Sequence, residues 1–153
     1  MEDCLTNSMV VSNADTANDM PTSINPSWIL NGHPQHRIKQ LARSADRSSY
    51  SVAWDCTAGL FNWHYTDDET LVVLTGEAFI RVDNEKETRI GPGDVVFFPA
   101  GSSAVWRVPE YIRKVAFMRQ PIPPPLRFGV RALNALLRRV GIYRNPGGNQ
   151  RGF

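Results

Sequence analysis

Residues 57–69 read TAGLFNWHYTDDE, and residues 91–101 read GPGDVVFFPAG. Around these two blocks, apolar and polar residues alternate with a period of two, which is typical of strands that turn one face toward an interior. Three aromatic residues share one face of the first block: Phe61, Trp63 and Tyr65. Glu69 closes that block, so the pattern predicts one carboxylate among aromatic side chains inside a small barrel.

Working outward, the same alternation continues on both sides of the blocks. Glycine and proline turns divide the chain into about eight to ten short strands with almost no helical periodicity. A charged turn at residues 83–86 separates two runs that predict a hairpin. This organisation predicts an all-β closed double-sheet or jelly-roll barrel.

The composition of the flanking segments predicts the domain limits. The first residues are polar and lack the apolar surface needed to offset ordering. Near the C-terminus, apolar residues recur every three or four positions beside arginines, which predicts a short basic amphipathic helix. The predicted order is a disordered tail at 1–24, a barrel at 25–120, a proline-rich linker at 121–125, the helix at 126–142 and a disordered tail at 143–153.

Charge and cysteine content exclude several classes of protein. The formal net charge is only +2, and the barrel itself is nearly balanced, so nothing indicates a nucleic-acid surface. Cys4 and Cys56 form neither a disulfide framework nor a zinc pattern and are expected to be free thiols. The N-terminal residues lack the basic start and apolar core of a signal peptide, so we expect a cytoplasmic protein.

The two blocks together resemble the two motifs of the cupin superfamily. A glycine, Glu69, six further residues and Gly76 match the first motif, and residues 92–101 match the second. The finer pattern around residues 61–77, Trp106 and 113–114 is similar to the branch that contains (S)-ureidoglycine aminohydrolase and the ethanolamine-utilisation cupin. This resemblance implies the cupin double-stranded β-helix, a jelly-roll barrel, and a homodimer built by sheet contacts.

Metal-dependent cupins hold a divalent ion with His-x-His, a glutamate and a second-motif histidine, and the resemblance places Glu69 at the glutamate position. In one register of the first motif Trp63 and Tyr65 replace the two histidines, whereas in the other register Asn62 and His64 take their places. Ala104 stands at the position of the last histidine, and alanine cannot bind a metal. A degenerate metal site without a metal or other cofactor is therefore predicted.

The candidate ligand pocket combines residues from both motifs and from the last strand: Trp63, Tyr65, Glu69, Trp106 and Lys114. The aromatic members could instead be core. Lys114 would neutralise Glu69 or a ligand carboxylate if it points inward, but an outward, solvated position is expected for a lysine. By alternation, His64 is expected outside the pocket or at its rim, and His33 and His36 are expected on the surface.

Three functions remain open from the sequence. The first is a binding module for a small polar metabolite. The second is an enzyme in which Glu69, its pKa raised by burial, is a catalytic general acid or base, or in which Glu69 and His64 help to hold a divalent metal. The third is a scaffold that docks through its basic helix, on a partner in preference to an anionic membrane surface.

Overall fold

The computed structural model describes residues 9–15 and 20–139. The chain divides into two compact units, Met1–Pro121 and Ile122–Phe153. The described part of the first unit contains a 3-10 helix at Pro26–Trp28 and nine strands. These strands are β1 (Met20–Thr22), β2 (Ile29–Asn31), β3 (His36–Arg43), β4 (Ser49–His64), β5 (Asp68–Gly76), β6 (Ala78–Arg81), β7 (Thr88–Ile90), β8 (Val95–Phe98) and β9 (Ser103–Arg119).

Two long central strands organise the sheet. The hydrogen-bonded order is β1-β3-β4-β9-β5-β8, while β2 pairs with β4, and β6 pairs with both β7 and β9. All pairs are antiparallel, and β4 and β9 run together from the Ser49–Arg119 pair to the His64–Ser103 pair. The predicted β6–β7 hairpin is confirmed by the pairing of Ala78 with Ile90. The nine described strands and their antiparallel order confirm the predicted all-β jelly-roll class.

Alternation along the long strands builds the interior. Six large side chains are almost completely buried: Trp106, Phe61, Leu71, Ile112, Val73 and Cys56. The Cys56 thiol is free, as expected, and burial raises its pKa to about 12, so it stays protonated at neutral pH. Cys4 lies outside the described residues.

The expected disorder of residues 1–24 is wrong for part of that segment. β1 pairs with β3 through Met20–Ile38 and Thr22–His36, and Ile24 is buried. Upstream, the Ser12 hydroxyl donates a hydrogen bond to the Leu41 carbonyl at 2.6 Å. The free edge of β3 supplies backbone partners that the composition of the tail does not reveal. Residues 1–8 and 16–19 lie outside the described residues, as does the predicted tail at 143–153.

In the second unit, a helix, α1, spans Pro124–Arg139 and ends with Arg138 and Arg139 in its last turn. It begins at Pro124 rather than at residue 126, because proline at the start of a helix sacrifices no intrahelical hydrogen bond. The predicted residues 140–142 lie outside the described range. Within the described residues, no helix combines the length and apolarity needed to cross a membrane.

Candidate functional site

Tyr65 and Trp106 form the first polar contact of the barrel interior. β4 ends at His64, and the backbone of Tyr65 extends the ladder through hydrogen bonds with Ser102 and Gly101. The Trp106 indole N–H donates a hydrogen bond of 2.9 Å to the Tyr65 hydroxyl oxygen. Burial, and secondarily the nearby charge of Glu69, raises the pKa of Tyr65. Tyr65 therefore remains a neutral hydroxyl at physiological pH.

Glu69 and Lys114 form a buried ion pair in which the Lys114 ammonium bonds to Glu69 Oε1. The two residues are only 2% and 4% exposed. Lys114 Nζ also lies 4.8 Å from the ring centroid of Trp54 and 4.9 Å from that of Trp106. Such distances allow cation–π attraction, so the ammonium is held by a carboxylate and by two aromatic faces.

The expected outward orientation of Lys114 is wrong, and the opposite face of the sheet shows why. The preceding residue, Arg113, donates to Asp55 Oδ2 at 2.9 Å, and the Tyr111 hydroxyl donates to the same oxygen at 3.0 Å. Since consecutive side chains of a strand point to opposite faces, an Arg113 committed to the outer face turns Lys114 inward. Glu69 then provides the opposite charge that makes burial of the ammonium tolerable.

The remaining members of the predicted pocket differ in exposure. Trp106, Tyr65, Glu69 and Lys114 are buried, whereas Trp63 is only half-buried. Trp63 meets Trp28 and Trp54 edge to face, with ring centroids 5.6 and 5.9 Å apart. All five predicted residues therefore belong to one interior region, and Trp63 lies on its solvent side.

His64 lies on the other side of β4 from this region. Its side chain is exposed and contacts Trp28 with centroids 4.9 Å apart, as alternation predicts. Trp63 pairs with Ala104 across β4 and β9. In the register of the first motif that places Trp63 at a histidine position, two positions that the resemblance assigns to metal-binding histidines therefore lie side by side.

The residues of this interior do not fit a divalent ion. Glu69 is the carboxylate at the motif position, and its charge is already balanced by Lys114. Throughout residues 9–15 and 20–139, no three His, Cys, Asp or Glu side chains group in a way that could hold a metal. Among the residues that the structure describes, this interior therefore offers no ligand set for a cupin metal.

His36 and Trp54 are interior residues that the sequence interpretation did not place in the pocket. His36 was expected on the surface but is only 6% exposed. The Trp54 indole N–H donates to His36 Nδ1 at 3.0 Å. Burial lowers the pKa of His36, opposed by the Ser23 carbonyl and by Asp55. His36, Ile38 and Gln40 share one face of β3, but only Ile38 of these three is apolar. The alternation therefore places His36 in the interior only once β3 is known to be a strand.

Open cavities lie elsewhere on the barrel. One of about 590 Å³ is lined by residues that include Arg43, Tyr50, Phe117 and Arg119. Another of about 600 Å³ lies beside Val82, Ile90 and Phe97. Neither is lined by the Glu69–Lys114 pair, whose surroundings are filled with aromatic side chains. A ligand would enter that interior only by moving some of these side chains.

Comparison with known proteins agrees with this architecture. Residues 43–116 match the family model of the EutQ-like cupin domain. A Salmonella typhimurium LT2 structure described as ethanolamine utilization protein Q is 25% identical, with a TM-score of 0.50, over 56% of this chain and 69% of that one. No curated protein sequence matches the chain.

Two further structures share the fold at lower identity. The EutQ protein of Clostridium difficile is 19% identical, with a TM-score of 0.52, over 69% of this chain and 98% of that one. A protein of unknown function from Pseudomonas syringae pv. tomato DC3000, of the DUF861 family, is 22% identical, with a TM-score of 0.63. That match covers 70% of this chain and 46% of the Pseudomonas chain.

Proposed function

We propose that this chain, whose residues 43–116 match the EutQ-like cupin domain, is a cupin that binds a small polar metabolite inside the barrel without a metal. The observation that carries the proposal is the buried Glu69–Lys114 pair, which lies between Trp54 and Trp106 where metal cupins use a glutamate as ligand. Sites for small molecules commonly combine aromatic walls with a few convergent polar groups.

The charges of the interior favour binding over acid–base catalysis. The Lys114 ammonium bonds to Glu69 Oε1, and a substrate proton on this carboxylate would remove the charge that makes burial of the ammonium tolerable. A ligand, in contrast, can contact Tyr65, Trp106 and the charged groups of the ion pair without separating Glu69 from Lys114. Half-buried Trp63, in contact with Trp28, is the natural point of entry.

A screen of small polar metabolites by thermal shift and by tryptophan fluorescence tests this function. We expect a ligand to raise the melting temperature and to change the emission of the interior tryptophans, since only bound native protein gains stability. Glu69→Gln should weaken this ligand about tenfold, because hydrogen bonds that involve a charged group contribute roughly 1.5–3 kcal/mol. The exposed His64→Gln change should leave the affinity unaltered.

A double variant shows whether weaker binding by Glu69→Gln comes from the lost charge or from loss of folding. In Glu69→Gln/Lys114→Met the interior retains its shape and has no unpaired charge, so weakened binding can be assigned to the lost charges. If the Glu69 variants bound the ligand with wild-type affinity but lost turnover of it, Glu69 would be a catalytic acid or base and the binding proposal would be wrong.

We also propose that the chain forms a homodimer through the outer face of β5, β8 and β9. Phe97 and Phe117 flank Thr70 in one row of this face and are 59% and 52% exposed. Val95, 66% exposed, lies in the next row beside Val72. A contiguous apolar patch of this kind is typical of an interaction surface.

Sedimentation equilibrium tests the proposed dimer. Phe117→Lys should shift the protein to monomer because it places a charge in the apolar centre of the face. Leu30→Lys is the matched control, since Leu30 is 56% exposed but lies on β2, away from this face. A wild-type protein that remains monomeric, or a Phe117 variant that dimerises as well as wild type, would contradict the proposal.

A further inference from the structure

The C-terminal helix α1 carries an apolar stripe along most of its length. Leu126, Val130, Leu133 and Leu137 follow one another at spacings of four, three and four residues, so they lie on one face of the helix. The first three of these side chains are 59%, 37% and 55% exposed. Among the described residues of the second unit nothing covers the stripe, although an amphipathic helix gains most of its stability from whatever covers its apolar face.

The charges of α1 all have the same sign. Residues 124–139 contain four arginines and neither aspartate nor glutamate. Arg138 and Arg139 lie in the last turn, where cations also compensate the helix dipole. Arg131 lies in the middle of the helix, beyond the reach of that effect, and it forms a polar row with Asn134 and Arg138 along one flank of the stripe. The helix thus combines an uncovered apolar stripe with an unbalanced positive flank.

We propose that α1 is a membrane-surface anchor, which lies flat on an anionic lipid bilayer with its stripe among the acyl chains and its arginines against the lipid phosphates. A 16-residue helix with arginines on its polar side and leucines on the other is typical of helices that lie in the plane of a membrane interface. Anionic headgroups provide the negative charge that the helix itself lacks. This inference concerns the second unit and does not depend on the proposed interior site.

The sequence interpretation preferred a partner for this helix, but two features favour a bilayer. Pairing of two α1 helices through their stripes would bring together two sets of four arginines, whereas paired helices place opposite charges beside the apolar seam. The stripe also consists of leucine and valine, without the tryptophan or tyrosine that commonly dominates the binding energy of protein interfaces. Aliphatic side chains of this kind need only a fluid apolar layer, which acyl chains provide.

Co-sedimentation of the full chain with lipid vesicles tests the proposal. Vesicles of phosphatidylglycerol and phosphatidylcholine should bind the chain, and vesicles of phosphatidylcholine alone should bind it at least about tenfold more weakly. High salt should release much of the bound protein, because it screens the attraction between arginine and phosphate. Hydrogen exchange locates the contact: amides in residues 126–139 should gain protection when anionic vesicles are added.

A pair of helix variants tests insertion of the stripe. Leu133→Gln places a polar side chain in the middle of the stripe and should weaken vesicle binding at least about tenfold, since burial of one leucine is lost. Phe128→Gln is the matched control. Phe128 is 78% exposed and lies on the side of the helix opposite the stripe, so this change should leave the binding unaltered.

A pair of double variants tests the charges. Arg131→Gln/Arg138→Gln should weaken binding to the anionic vesicles about thirtyfold and leave the weak binding to neutral vesicles unchanged. Arg81→Gln/Lys86→Gln removes the same two charges from exposed positions of the barrel and should have little effect.

Several results would overturn the inference. They are absence of binding to anionic vesicles at low salt, equal binding to neutral and anionic vesicles, or binding that Leu133→Gln leaves intact. If no vesicle bound and Leu133→Gln lowered the melting temperature of the barrel, the stripe would be part of the folded core. If no vesicle bound but polyglutamate did, the partner of α1 would be an acidic protein. The metabolite screen with the Glu69 variants judges the proposed function independently of these outcomes.

Discussion

Lys114→Met is expected to destabilise the folded protein by about 3–5 kcal/mol, because removal of one member of a buried ion pair leaves the other charge uncompensated. Methionine has nearly the length of lysine and fills the space between Trp54 and Trp106, so little of the loss would come from a cavity. The remaining Glu69 carboxylate is only 2% exposed. Urea unfolding followed by fluorescence measures the change.

The double variant Glu69→Gln/Lys114→Met should recover a large part of that loss, because neither charge then remains buried. The difference between the double variant and the sum of the single variants gives the coupling energy of the pair. Lys86→Met is the control at an exposed lysine and should change stability by no more than about 0.5 kcal/mol. A loss below about 1 kcal/mol for Lys114→Met would show that the pair is solvated in solution.

Gly76→Ala is expected to cost about 3 kcal/mol or more, since two penalties combine. Gly76 has a φ of 75°, a conformation in which a side chain is strained. A Cβ built there would lie 2.0 Å from the carbonyl oxygen of Tyr111, so β5 and β9 would have to separate. Chemical unfolding should show a large drop in midpoint, and expression of folded protein should fall.

Gly93→Ala distinguishes the two penalties. Its φ of 89° is similar, but no atom of any residue other than its chain neighbours lies within 4 Å of the added Cβ. This variant should lose only the backbone term, about 1–2 kcal/mol. Equal losses in the two variants would mean that close approach of Tyr111 contributes nothing at Gly76. The motif glycine therefore has a packing role that its partner in the second block lacks.

Much of the fold could be predicted from local patterns. The alternation in residues 50–56 and 61–65 indicated the two halves of β4, but the turn predicted at residues 57–59 is wrong, because the strand continues there through a bulge between Thr57 and Gly59. The runs 104–108 and 111–118 indicated the two halves of β9. Glycine and proline marked the turns, and the spacing of apolar residues after the proline run indicated α1. These features are local because side-chain direction repeats every two residues in a strand and every three or four in a helix. The fold class follows from their number and order.

Residue types also indicated which side chains would meet. Trp63, Tyr65, Glu69 and Trp106 were expected in one region on their alternation and on the motif resemblance, and the structure brings them together. The interior residue His36, which was expected on the surface, lies in a stretch with a weaker sequence pattern. His36 lies in a polar stretch next to a proline turn, and Ile38 on the same face is 37% exposed, so the pattern of β3 is diluted.

What only the tertiary structure decided is which partners face those side chains. Glu69 and Lys114 are 45 residues apart, and Trp54 and His36 are 18 apart. The residues of β1 show no alternation that predicts a strand. They become a strand because they pair with the edge of β3. Periodicity determines the two faces of a strand from its own residues, but the choice of the buried face for a lysine depends on a distant carboxylate. Local alternation of apolar and polar residues therefore determines the barrel, whereas the chemistry of its interior depends on charge pairing and burial between residues that are distant in sequence.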